Sequence, residues 1–208
     1  MPLVNDDALI ESIIKRYPRS RSAIMPLLHL AQARDGYVTP ESIEVIAEKL
    51  GLETAEVSAV ATFYTQYKRQ PVGEYHVGVC TNTLCAVLGG DAIFEALKEH
   101  LEVDNDEVTN DGKVSVEHIE CNAACDFAPV VMVNWEFYDN QTVQSAKDLV
   151  DACRAGNPPA PTRGPNKLPT WKENSEVLAG INDGRAGEGV QAGEPTLLGL
   201  KLSKEGGS

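Results

Sequence analysis

The sequence predicts an α/β protein built from an N-terminal helical module, a central α/β domain and an extended C-terminal tail. Three observations carry this. Residues 1–70 hold apolar residues at helical spacing. Residues 71–153 interleave short β-rich runs with two helical stretches. Residues 154–208 contain 10 of the 17 glycines and 6 of the 12 prolines, with Trp171 as the sole aromatic.

In the helical module, Leu9, Ile10, Ile13 and Ile14 fall on one face of a first helix that stops at Tyr17–Pro18. A second is expected from about Ser22 to Arg34, with Ile24, Leu27, Leu28 and Ala31 on one side and Gly36 as its stop. Thr39-Pro40-Glu41 is a start signal: a capping hydroxyl, proline at the first helical position and an acid at the positive end of the dipole. That third helix uses Val45, Ile46 and Leu50 and ends at Gly51. Glu53-Thr54 opens a fourth that runs through Val57 and Val60 to Phe63-Tyr64.

Pro71-Val72-Gly73 reads as a turn into the central domain. Tyr75 to Val79 alternates as a strand and leads directly into Cys80. Gly89-Gly90-Asp91 opens a helix with Ile93, Phe94, Leu97 and Leu101 on one face. Asp104 to Gly112 is a polar connection, and Val114, Val116 and Ile119 form a strand that delivers Cys121. Val130 to Val133 and Glu136-Phe137-Tyr138 are further strands, and Val143 to Arg154 is a last helix. The tail carries 7 basic and 6 acidic residues, so the acidity of the chain lies ahead of it. Too poor in apolar residues to fold alone, it is expected to be disordered or an arm laid on a partner, with Trp171 and Leu197 to Leu200 as anchors.

The formal net charge is −13 and the isoelectric point about 4.7. That balance repels nucleic-acid backbones and anionic lipid surfaces, so protein partners are expected. Residues 40–64 could be taken for a helix-turn-helix, but Glu53 to Tyr64 holds two Glu and no Lys or Arg, the reverse of what phosphate contact requires. No run approaches the roughly 18 apolar residues needed to span a bilayer. The start, MPLVNDDALIESII, is acidic where secretory and transit signals are basic, so a bacterial cytoplasmic location is expected.

Five cysteines in such a compartment argue against a disulfide framework. Four form two pairs, Cys80-x4-Cys85 and Cys121-x3-Cys125, separated by 35 residues, each pair at the end of a strand. Loops at one sheet edge can bring four thiolates to an inorganic core. A tetrahedral zinc ion and a 2Fe–2S cluster both accept four cysteines, and spacing alone does not separate them. The small, polar Thr81-Asn82-Thr83-Leu84 and Asn122-Ala123-Ala124 spacers leave room for sulfides and amide donors, which leans toward the cluster. Cys153 reads as an ordinary small apolar residue. His29, His76, His100 and His118 share no ligand spacing.

Arg16-Tyr17-Pro18, Leu27-Leu28-His29-Leu30-Ala31-Gln32, Ala61-Thr62-Phe63-Tyr64, Pro71-Val72-Gly73, Val79-Cys80-Thr81-Asn82, Glu120-Cys121 and Ala128-Pro129 follow one another in order. Together they resemble the small thioredoxin-like iron–sulfur subunit of NADH:quinone oxidoreductase, respiratory complex I, over roughly residues 10 to 152. The resemblance implies a thioredoxin-like ferredoxin domain at 71–153. It implies one 2Fe–2S cluster on Cys80, Cys85, Cys121 and Cys125, and electron exchange with the FMN of an adjacent NADH-binding subunit. It also implies an oxidoreductase complex on the cytoplasmic side of the cell membrane, with no catalytic side chain on this chain. The tail is expected to meet other peripheral-arm subunits. No G-x-G-x-x-G follows a strand, so NAD is expected on the partner. The same module serves NAD-linked hydrogenases and formate dehydrogenases, and a zinc-stapled interaction protein is the reading from another class. Relatives often carry a glycine between the second pair of cysteines; here the spacer is Asn122-Ala123-Ala124.

Overall fold

The computed structural model describes residues 2–190 and 192–206. The chain divides into two compact units. One comprises residues 1–74 and 169–183, the other residues 75–168 and 184–208.

The first unit is helical, with α1 (Asp7–Ile14), α2 (Ile24–Asp35), α3 (Pro40–Leu50), α4 (Thr54–Phe63) and α8 (Trp171–Leu178). Helix α2 is its axis. It is buried on nearly every side through Ile24, Leu27, Leu28, His29, Leu30, Ala31, Gln32 and Ala33. Ile10 and Ile13 of α1, Ile46, Ala47 and Leu50 of α3, and Val57 and Ala61 of α4 join it in one core. A helix surrounded by partners does not show a one-sided stripe. Its first turn is a 3-10 turn, Ser20–Ala23, and it ends where Gly36 adopts φ +90°, a conformation costly for any residue with a Cβ. The start signal of α3 operates as expected: the Ser42 N–H donates to Thr39 Oγ1 at 3.0 Å. At the start of α4 the Glu53 N–H donates to Glu56 Oε2 at 3.1 Å. Burial lowers the pKa of His29 to about 4, and its ring packs against Tyr67 with centroids 4.8 Å apart.

The expectation of an extended tail fails for residues 169–183. Thr170 and Glu173 cap α8 reciprocally, with the Thr170 N–H donating to Glu173 Oε2 at 2.8 Å and the Glu173 N–H to Thr170 Oγ1 at 3.3 Å. Trp171 is 2% exposed and its Nε1–H donates to the Gly36 carbonyl at 2.7 Å. Arg34 bridges Asp6 at 2.7 Å and Glu176, and Arg16 donates to the Gly180 carbonyl at 2.8 Å. Helix α8 cannot fold alone, but α2 supplies the surface that buries it.

The second unit contains β1 (Tyr75–Cys80), α5 (Thr83–Val87), α6 (Gly90–Leu101), β2 (Glu107–Val108), β3 (Val114–Ile119), β4 (Val131–Val133), β5 (Glu136–Tyr138), α7 (Val143–Arg154) and α9 (Glu194–Glu205). The strand order is β2-β3-β1-β4-β5; β1 and β3 are parallel and the other pairs antiparallel. Tyr75, Val77 and Val79 alternate with His76, Gly78 and Cys80 along β1. The first set joins Val114, Val116, Val131 and Val133 in a core with α6 and α7, which includes Cys153. Cys80 belongs to a smaller cluster with Cys85, Ile119, Val130 and Met132. Three α-helices or strands of this unit were not anticipated: α5 inside the first cysteine loop, the two-residue strand β2, and α9 in the tail. Each is short or lacks buried apolar residues, so no periodic pattern marks it.

Replacing Trp171 by Ala is expected to lower the unfolding free energy by about 3 kcal/mol or more, the range for losing a buried indole. Urea denaturation followed by circular dichroism measures this; an unchanged midpoint would restore the extended-arm reading.

Candidate metal centre

Parallel pairing of β1 with β3 sets Cys80 beside Ile119 and sends both strands out of the sheet at one edge. The chain then turns into α5 on one side, carrying Cys85, and into Glu120-Cys121 on the other. A 3-10 turn, Cys125–Phe127, carries the fourth thiol. Cys80, Cys85, Cys121 and Cys125 line one small cavity with Asn122, Ala124 and Val130. The two halves differ in exposure: Cys80 and Cys85 are buried, Cys121 is exposed and Cys125 is half-buried. All five cysteines are free thiols, and Cys121 Sγ lies 3.4 Å from Cys125 Sγ. Among the described residues, no three His, Cys, Asp or Glu side chains gather tightly enough to hold a single metal ion.

N–H groups point at these sulfurs. The Ala123 N–H donates to Cys121 Sγ at 3.4 Å, and the Val130 N–H bonds the Cys85 sulfur. Val130 follows the cis peptide Ala128–Pro129. Asn82 Nδ2 donates to the Ile119 carbonyl at 2.8 Å and lies 3.8 Å from Cys80 Sγ, so it ties the first cysteine loop to the end of β3. Burial pushes the Cys85 thiol up to about 11, with the neighbouring thiols adding to the shift. Cys125 is raised by its contact with Cys121, and further by desolvation. Ligation requires thiolates, so a metal that binds here displaces protons.

Two backbone positions give the loops their shape. Ala123 sits at φ +56°, in the left-handed region. Glycine adopts such a conformation without strain; here alanine bears the steric cost of the turn. Gly90 opens α6 directly against the first loop. A Cβ there would lie 2.9 Å from the Cys85 carbonyl oxygen and closer still to that of Cys80.

Other sites behave as ordinary structure. His76 is buried, with Nδ1 2.9 Å from Ser115 Oγ and Nε2 2.9 Å from Glu117 Oε2. His100 meets Asp151 at 2.8 Å, and His118 packs on Phe94. Sequence reasoning missed the roles of Val130 and Gly90. Backbone donors carry no side-chain signal, and the Gly89-Gly90 pair was legible only as a helix start.

Ala123→Gly is expected to raise stability by about 1 kcal/mol by relieving the left-handed alanine, and Ala123→Val to lower it. Gly90→Ala is expected to cost about 1–3 kcal/mol through overpacking against backbone that cannot swing away. Thermal denaturation of the three variants checks both.

Comparison with known proteins places the chain. It is 60% identical over 196 residues to a NADH-quinone oxidoreductase subunit of Mycobacterium tuberculosis, a match covering 94% of this chain and 77% of the relative. It is 43% identical over 150 residues to the like-named subunit from Rickettsia bellii, covering 71% and 90%. Among solved structures, it resembles a NAD+-reducing [NiFe]-hydrogenase in the H2-reduced state at a TM-score of 0.56 and 20% identity. That likeness covers 65% of this chain and only 23% of the hydrogenase chain, and at such identity it shows the fold alone. Residues 10–154 match one family description throughout. The chain belongs to the thioredoxin-like [2Fe-2S] ferredoxin family.

Proposed function

We propose that Cys80, Cys85, Cys121 and Cys125 hold one 2Fe–2S cluster and that the chain is the iron–sulfur electron-transfer subunit of an NADH:quinone oxidoreductase. The observation that carries this is the gathering of all four thiols on one cavity, within residues that match the 2Fe–2S family from 10 to 154. The donor set suits the group: two thiolates for each iron, with N–H groups aimed at sulfur. Bound there, the cluster would supply reversible one-electron transfer.

The thiols do the holding, and nearby N–H groups do the tuning. Cys80 and Cys85 are buried and anchor one side of the site; Cys121 and Cys125 close it from the solvent side. The amide of Ala123, the amide of Val130 and the Asn82 carboxamide place partial positive charge beside sulfur, which favours the reduced form. The acidic body works in the opposite direction and holds the potential low.

No general base or nucleophile is needed, and NAD and FMN belong on a partner subunit. Leu84, Val87 and Leu88, on and just after α5, are 42%, 77% and 52% exposed beside Cys85. This apolar surface next to the thiols suits docking of the flavin- and NADH-binding subunit. Such an assembly would hold the chain peripherally on the cytoplasmic side of the membrane; among the described residues, no helix is long and apolar enough to cross it. The 60% identity to a subunit named for quinone reduction favours this assembly over a hydrogenase or formate dehydrogenase.

Protein purified under anaerobic conditions is expected to contain equimolar iron and labile sulfide, and to give an EPR signal on reduction. Cys121→Ser should weaken or abolish that signal, and Cys153→Ser should leave it intact. Colourless protein containing zinc, silent on reduction, would replace this reading with that of a zinc-stapled interaction protein.

A further inference from the structure

The turn that carries Cys125 is gripped by residues far along the chain. Phe127, two positions on, has its ring 5.4 Å from the Arg163 guanidinium, and that guanidinium lies 4.4 Å from the Phe137 ring. Arg163 is tied in place by Asp139, at 2.7 Å, with side chains only 16% and 8% exposed. The backbone around it is held as well. The Thr162 N–H donates to the Phe137 carbonyl at 2.8 Å, and Tyr138 donates its hydroxyl to the Pro159 carbonyl at 2.7 Å. Phe127 also meets Gly193, where a Cβ would collide with the ring, and Thr196 Oγ1 donates to Asp126 Oδ2 at 3.3 Å.

We infer that residues 159–164 and 193–196 form a clamp on the second cysteine loop, with Arg163 as its positioning residue, which retards loss of the cluster from its exposed side. The inference rests on the assignment of Cys121 and Cys125 as ligands. Every clamp residue that reaches the loop from the tail lies beyond residue 154, where the family match ends. The clamp is therefore an addition to the ferredoxin domain. It acts where protection is needed: Cys80 and Cys85 are covered by the core, whereas Cys121 is open to solvent. A cation held between two rings and a carboxylate at low exposure sits at the strong end of cation–π energies, enough to favour the closed loop roughly tenfold. Lysine keeps the charge for Asp139 but lacks the planar group that faces both rings.

The test follows bleaching of the oxidised cluster's visible absorbance in air with excess EDTA, using the full chain. Arg163→Ala is expected to bleach roughly tenfold faster than wild type, with Arg163→Lys between. Gly193→Ala is expected to bleach faster than wild type because its Cβ displaces the Phe127 ring. The g-values of the reduced cluster should shift in the same variants, a change that loss of general stability would not produce. Arg154→Ala, which removes the pair with Asp111 elsewhere in the same unit, should bleach at the wild-type rate. If Arg163→Ala does not fold, Arg163→Lys and Gly193→Ala decide. Wild-type rates in the clamp variants, or equally fast bleaching of Arg154→Ala, would overturn the clamp. Wild-type protein without iron and sulfide would overturn the ligand assignment instead.

Discussion

The parallel register between β1 and β3 is the constraint on which the cysteine site depends. Pairing Cys80 with Ile119 makes both strands leave the sheet in the same direction and at the same level. A slip of one residue would turn Cys80 to the face covered by α6 and α7 and remove it from the site. Hydrophobic burial enforces the register, because Val77, Val79, Val114 and Val116 must all reach one core. The thiol positions are thus set by apolar residues of a different cluster from the one that holds Cys80 and Cys85. The residue that leads into β4 completes the frame: the Cys80 N–H donates to the Val130 carbonyl at 3.1 Å, while the Val130 N–H turns to the Cys85 sulfur. A single residue just ahead of β4 therefore braces both cysteines of the first pair.

Within that frame the two loops are built to different tolerances. The first is enclosed by Gly90 and Val130 and tied across by Asn82, so its thiols are buried and its backbone has little room. The second is short, open and bent through a left-handed alanine. Strain and exposure fall on the same side of the site. That is where a docking partner or a covering segment has the most to contribute, because a loop with few contacts of its own gains most from contacts supplied to it.

Much of this was legible in the residues because local chemistry and burial agree there. Thr39-Pro40 specifies a helix start by its own hydroxyl and ring, and the alternation from Tyr75 to Val79 specifies a strand leading to a cysteine. The pairing of Cys80 and Cys85 with Cys121 and Cys125 was visible as spacing, but spacing did not distinguish zinc from iron–sulfur; the ordered motifs from Arg16 to Pro129 did. What escaped was set by tertiary contact. Helix α2 was expected with one apolar side, but the burial of His29, Leu30, Gln32 and Ala33 as well comes from the partners packed around it. β2 is two residues that exist by pairing with Val116 and Ser115. The N–H donors to sulfur are invisible in principle, since every non-proline residue carries one.

The tail shows where composition misleads. Averaged over residues 154–208, glycine and proline predict a chain that cannot bury enough to order itself, and as a statement about an isolated segment this holds. Order here is supplied by other parts of the fold at a few points. Trp171 enters the helical unit, where α2 already offers an apolar wall and the Gly36 carbonyl an acceptor. Arg163 enters the ferredoxin unit, where two rings and Asp139 are already in place. The intervening prolines reduce the conformational freedom lost when such points are made, and the glycines permit approaches that a Cβ would block, as at Gly193. A segment of this kind need not carry a core to be ordered; it needs only anchors whose sockets the rest of the chain has built.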